Sequence, residues 1–170
     1  IIEPQVFGDV RGWFYESYSK QKMHDIGIDV EFVQDNRSFS AQQGTLRGLH
    51  CQTSPMAQTK LLTCLRGRIM DVAVDIRRGS TYKEWVAVEL SEENKRQLLI
   101  PRGFGHGFVT LTPDVEVSYK VDEYYAPAND RSVKFDDPDI GVDWGVKVPI
   151  LSDKDMKAPL LKDSDIEFIY

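Results

Sequence analysis

The amino-acid sequence predicts an all-β fold, a sandwich, barrel or jelly roll with a few short helices. Three observations carry that expectation: apolar residues recur mostly at every second position, the apolar runs are short, and turn signals punctuate them at close spacing. The first patterned segment is a helical exception. SYSKQKMHDIG reads as one short helix, with Ser17 or Ser19 as its N-cap and Gly27 as its stop. FVQDN then joins a strand-like apolar run to polar residues, and KLLTCL is a second short run. In RIMDVAVDI, Met70, Val72, Val74 and Ile76 fall on one side and Asp71, Ala73 and Asp75 on the other, the pattern of a half-buried strand. EWVAVEL aligns Val86, Val88 and Leu90. QLLI and GFVTL add two short runs, and VEVSYKV sets Val115, Val117, Tyr119 and Val121 against Glu116, Ser118 and Lys120. Arg66-Gly67, Arg78-Gly79-Ser80, Pro101-Arg102-Gly103 and Thr112-Pro113-Asp114 supply the turns between them. The tail after Pro149 is less periodic, but LSDKD and APLL are too apolar to float free and are expected to pack as turns and helical pieces.

Composition sets the outer bounds. With 170 residues, 41% of them hydrophobic, the chain reads as one domain, 1–170, able to bury a core. No segment approaches the ~18 consecutive apolar residues of a membrane span, and no signal peptide is visible. Cys51 and Cys64 are too few for a disulfide framework, so reduced thiols and a cytoplasmic location are the default expectation. A net charge of -6 argues against a nucleic-acid partner held on a broad basic face, while leaving room for a local cationic pocket.

The chemistry concentrates around LRGLHCQ, where His50, one of three histidines, sits beside Cys51. A shared metal would need both side chains on one face, yet neighbours on a strand point apart. No CxxC, HxH or HxxxH companion is present, so no metal is expected. The same divergence argues against a Cys/His nucleophile pair, and Cys51 reads as a small buried hydrophobe. A lone histidine is ordinarily a hydrogen-bonded core residue. Here Arg47 lies three residues upstream, Lys60 lies on the next apparent strand, and Gln34-Asp35-Asn36 precede it. Cations and amides around a titratable group describe an anion site.

With these residues in view the sequence resembles the dTDP-4-dehydrorhamnose 3,5-epimerase family. The likeness runs through EPQVFGDVRGWFYESY, FVQDNRSFS, LRGLHCQ, QTKLL, DVAVDIR, LSEENKRQLLIPRGFGHGF, YKVDEYYAP, DDPDIGVDW and PILSDKDMKAPLL, in collinear order over nearly the whole chain. The resemblance implies a cupin-type jelly roll, a homodimer, no metal or organic cofactor, and a dTDP-4-keto-6-deoxyhexose substrate. It implies His50 as catalytic base, Asp155 as the acid that orients it, Lys60 as the pocket lysine and Tyr119 as proton donor. It also implies substrate contacts from Arg11, Glu16, Gln34, Asn36, His106 and Asp130, with Tyr125 or Tyr124 stacking on the base. Cys51 stands where an aromatic residue is common in the family, and GFGHGF stands where GFAHGF is more usual; neither change removes a reacting group.

The reaction itself calls for these residue types. A proton alpha to a ketone is too weakly acidic for an unaided imidazole, so charge developing on the enolate oxygen must be stabilised, which suits Lys60. A neutral histidine with a carboxylate on its far nitrogen suits the base. Inversion needs a second proton carrier on the opposite face of the sugar, which suits Tyr119. C3 and C5 both flank the C4 ketone, so one stabiliser can serve both centres. A nucleotide diphosphate brings anionic oxygens that Arg47, Arg11 and Lys154 can meet. The plain alternatives are a core aromatic for Tyr119, a solvated strand residue for Lys60 and a helix cap for Asp155. Rival functions are a C3-only or C5-only epimerase, a 3,4-ketoisomerase, a metal cupin, and a jelly roll that binds nucleotide sugars without turnover.

Overall fold

In the computed structural model, which describes residues 1–169, the alternating segments form two antiparallel sheets packed against each other. A hairpin of β1 (Val6–Asp9) and β2 (Gly12–Tyr15) comes first, followed by α1 (Lys20–Asp25). Of the two candidate caps, Ser19 is the one used: its hydroxyl accepts the Lys22 amide at 3.3 Å. The chain leaves the helix through Gly27, whose φ of 84° is comfortable only without a side chain.

The next strands are β3 (Gln34–Ser40), β4 (Leu46–Gln52), β5 (Lys60–Arg66) and β6 (Arg68–Asp75). They continue through the short β7 (Arg77–Arg78), β8 (Trp85–Ser91), β9 (Gln97–Ile100), β10 (Phe104–Thr110), β11 (Val115–Val121) and β12 (Asp130–Ser132). One sheet has the order β12-β4-β10-β6-β8 and the other β3-β11-β5-β9. Between them lies a core in which Leu62, Ile69, Leu90 and Val117 are at most 1% exposed. Each such side chain contributes roughly 1.5–3 kcal/mol by leaving water. The tail adds α2 (Asp153–Met156), a 3₁₀ turn at Leu161–Asp163, and β13 (Phe168–Ile169), which pairs in parallel with β7.

The alternation in RIMDVAVDI led to the expectation of a strand wet on one face, and β6 differs: both faces are buried. The reason is the tail. Ile140, Trp144, Leu161, Ile166 and Phe168 pack on the outer side of the five-stranded sheet, against Leu49, Cys51, Val72 and Val74. The acids on the opposite face lie between the two sheets, so they too are enclosed and must find partners. Asp75 accepts from Arg77 and from the Thr81 hydroxyl, and Asp71 meets His106.

Candidate active site

The side chains facing inward near one end of the two sheets enclose a cavity of about 440 Å³. It continues into a second space of about 300 Å³, and His50, Lys60 and Tyr119 border both. Register explains who meets whom. On the four-stranded sheet Tyr119 lies between Asn36 and Leu62, and Val121 between Gln34 and Lys60, so Gln34, Asn36, Tyr119 and Lys60 share the inward face. On the five-stranded sheet His106 lies directly opposite His50.

Arg47 and His50 are three residues apart and on a regular strand would face opposite sides. The ladder carries an irregularity there. His106 pairs with His50, but Phe108 pairs with Arg47, so β4 holds one residue more than β10 over this stretch. The bulge turns both side chains into the cavity. It depends on Gly48, which has φ 127° and lies so close to β10 that a Cβ would come within 2.5 Å of the Gly107 Cα. Arg47 is braced from β3, donating to Ser40 Oγ at 3.1 Å and to the Phe39 carbonyl at 2.9 Å.

His50 Nε2 lies 2.5 Å from Asp155 Oδ1, across 105 residues of sequence. This leaves Nδ1 as the nitrogen able to take a proton from a molecule in the cavity. Asp155 is 3% exposed and sits in the first turn of α2, where the Ser152 hydroxyl accepts its amide at 3.1 Å. Burial alone would raise its carboxyl. Hydrogen bonds with His50, Ser152 and the Gly48 amide, together with the His50 charge, outweigh burial and hold it below the ordinary carboxylate range. The acid is therefore ionised where an imidazolium would form. Tyr119 is pushed the other way, since burial raises its phenol, so it carries its proton at neutral pH. Lys60 is buried, and desolvation lowers its ammonium against the raising effect of Cys51, Asp71 and Asp130.

The second space gathers Gln34, Asn36, Tyr125, Asp130 and Lys154. Lys154 Nζ lies 2.5 Å from Asp130 Oδ2, and the Tyr125 hydroxyl is 3.5 Å from the same oxygen. Cys51 is buried against the tail and also borders the second space, and burial pushes its thiol up to about 11. Two residues expected at the site lie elsewhere within this chain. Arg11 is at the tip of the β1–β2 hairpin, 86% exposed and paired with Asp9, and Glu16 pairs with Lys22 at 3.0 Å. Tyr124 is also outside both cavities and 60% exposed. Asp71, 2.6 Å from His106 Nε2, is a site residue that sequence reasoning missed; its signal was an acid on the second face of an otherwise apolar strand. Among the described residues, no group of three His, Cys, Asp or Glu side chains is placed to hold a metal ion, and no helix is long and apolar enough to cross a membrane.

Fold and site together define a jelly-roll protein built for acid–base chemistry on a ligand held between its sheets. The family described as dTDP-4-dehydrorhamnose 3,5-epimerase matches residues 1–163. The chain belongs to that family. It is 52% identical to the dTDP-4-dehydrorhamnose 3,5-epimerase of Salmonella typhimurium, over 95% of this chain and 89% of the relative. The crystal structure of a Legionella pneumophila dTDP-6-deoxy-D-glucose-3,5-epimerase in complex with dTDP-4-keto-L-rhamnose superposes with a TM-score of 0.91 at 48% identity, covering 96% of this chain and 87% of that one. A 3'-monoepimerase from Streptomyces bikiniensis, in complex with dTDP-quinovose, has the same fold with a TM-score of 0.91 but 33% identity, over 98% and 87% of the two chains.

Proposed function

We propose that this protein converts dTDP-4-dehydro-6-deoxy-D-glucose to dTDP-4-dehydro-L-rhamnose by inverting C3 and C5, as a step toward dTDP-L-rhamnose. One observation carries the mechanism: His50 and Tyr119 enter a single cavity from opposite sheets, with the buried Lys60 beside them. His50 Nδ1 takes the proton from the carbon next to the ketone, and the electron pair of that C–H bond moves through the new C=C bond onto the C4 oxygen. Lys60 stabilises the resulting enolate, worth several kcal/mol in a water-poor site. Tyr119 then delivers its phenolic proton to the other face as the C4 carbonyl reforms. Asp155 holds the imidazolium in place, and solvent returns each residue to its starting state. Rotation of the sugar presents the second centre to the same pair.

Arg47, Lys154 and the Gln34–Asn36 pair line the room left for the diphosphate and the sugar hydroxyls, with His106 and Tyr125 on its walls. Arg11 and Glu16 reach substrate in a homodimer. Their hairpin exposes Phe7, Val10, Trp13 and Phe14, an apolar face on which a second copy of the chain can close. The chain acts as one domain in the cytoplasm, where Cys51 and Cys64 stay reduced, and needs no nucleic acid.

The deciding experiment is turnover of dTDP-4-keto-6-deoxyglucose in deuterated water, followed by NMR. Deuterium at both C3 and C5 with inversion at both is the expected result. Label at one carbon alone would assign a monoepimerase, a 3-keto product would assign a ketoisomerase, and binding without exchange would leave only a nucleotide-sugar-binding protein.

A further inference from the structure

His106 and Asp71 form a second imidazole–carboxylate pair beside the first, and the reaction described above leaves Asp71 without a task. The pair is deeper than His50 and Asp155: the His106 side chain is 9% exposed and that of Asp71 0%. Asp71 Oδ1 lies 2.6 Å from His106 Nε2, while Oδ2 is buried with no hydrogen-bond partner among the described residues. A buried carboxylate oxygen left unpaired is costly to keep and calls for a reason.

The surroundings supply one. Lys60 is buried nearby at 9% exposed, and among the described residues its ammonium has no hydrogen-bond or ion-pair partner. The groups near it are Asp71 from β6, His106 from β10, Cys51 and His50 from β4, Tyr119 from β11, Asp130 from β12 and Lys154 from α2. Few of these can balance its charge. His106 and Tyr119 are neutral at working pH, Cys51 stays a thiol, and Asp130 is already committed to Lys154. Asp155 is committed to His50. Asp71 is the remaining carboxylate, enclosed in the same core with one oxygen unused.

We infer that Asp71 is a positioning residue for the epimerisation, fixing His106 through Nε2 so that Nδ1 faces the sugar and supplying the negative charge that keeps Lys60 an ammonium. This rests on Lys60 acting as the enolate stabiliser. A neutral His106 with its proton on Nε2 offers Nδ1 as an acceptor, which suits a sugar hydroxyl flanking the ketone. The unpaired Oδ2 belongs to the same device: a carboxylate bonded directly to Lys60 would hold the ammonium away from the substrate oxygen, whereas one bonded to His106 supplies charge from a distance.

The test is the pH dependence of solvent-deuterium exchange in the intact protein with dTDP-4-keto-6-deoxyglucose. In the wild type kcat/KM falls on the alkaline side as Lys60 loses its proton. With Asp71→Asn that limb moves to lower pH by about one unit, a tenfold loss on the limb, while KM stays within about threefold. An alkaline limb that does not move overturns the inference. Lys60→Met separates the two claims: if it abolishes exchange while Asp71→Asn behaves as wild type, only the role of Asp71 fails. If Lys60→Met retains full exchange, the assignment of Lys60 fails, and the inference with it. Nitrogen-15 NMR of the unmutated protein gives a reading that survives a misfolded variant. His106 protonated on Nε2 is expected, and protonation on Nδ1 instead would overturn the inference.

Discussion

Asp155→Asn is the substitution that isolates the His50 dyad. The two groups are 2.5 Å apart, and the Asp155 side chain is only 4% exposed, so solvent screens the pair weakly. Asparagine keeps the shape and can still hydrogen-bond, but the imidazolium formed during proton transfer loses its counter-charge. Opposite charges about 4 Å apart interact by about 4 kcal/mol at an effective dielectric of 20, and breaking a buried pair costs about 3–5 kcal/mol. The loss falls on the transition state, where the imidazole gains the proton and the counter-charge acts. At about 1.4 kcal/mol per tenfold, kcat should fall by roughly 10² to 10⁴ with KM within about threefold. Single-turnover deuterium exchange under saturating substrate measures this directly. A fall in kcat below tenfold, or one matched by an equal rise in KM, would show that Asp155 has only a structural part in the first turn of α2 and does not drive proton transfer.

The other predictions follow from the same geometry. Tyr119→Phe should keep exchange at the carbon facing His50 but lose inversion, lowering product formation by about 10²-fold or more; NMR of the recovered sugar separates label with retention from label with epimerisation. Gly48→Ala should cost at least about 2 kcal/mol in urea unfolding, because the new Cβ meets the Gly107 backbone and the φ of 127° disfavours any side chain; an unchanged midpoint would contradict the close approach of β4 and β10. Asp75 is pulled up by burial but held below the usual carboxylate range overall by Arg77 and Thr81, so its stabilising contribution is present above the unfolded value near ~3.9 and is lost as pH falls through the folded one. Asp75→Asn should therefore flatten the acid limb of the stability curve, and a parallel downward shift at all pH values would refute the linkage. Treatment with a chelator should leave epimerisation at full rate; loss restored by a divalent cation would return the protein to the metal cupins.

Much of this was legible one strand at a time. Tyr119 on the apolar face of VEVSYKV was an aromatic in a core pattern, and the same face proves to line the cavity. Period two reports which residues share a face but not which face is covered twice, so β6 looked half-buried until the tail came to lie on it. The hairpin escaped notice because its residues are exposed on both sides and show no alternation. Arg47 joined His50 by proximity in sequence, yet the bulge that turns both inward is a matter of register between two strands, which one strand's sequence cannot display. The pairing of His50 with Asp155 came from the family resemblance; 105 residues of separation leave no local trace. Asp71 was read as an outward acid, which is how an enclosed carboxylate looks when its histidine partner lies 35 residues away.

The route of the tail has a consequence for synthesis. Every strand of both sheets is complete by Ser132, so a ribosome can release the whole double sheet into solution while His50 still waits for residue 155. Trp144, which settles over the outer side of Gly107 behind the bulge, arrives in the same last stretch. A chain cut short after the sheets would keep His50, His106, Lys60 and Tyr119, yet lack the stretch of wall from Ile150 to Ser152 and the carboxylate that pairs with His50. Epimerase activity therefore reports that translation has passed residue 155, which makes it a sensitive gauge of product truncated before that point.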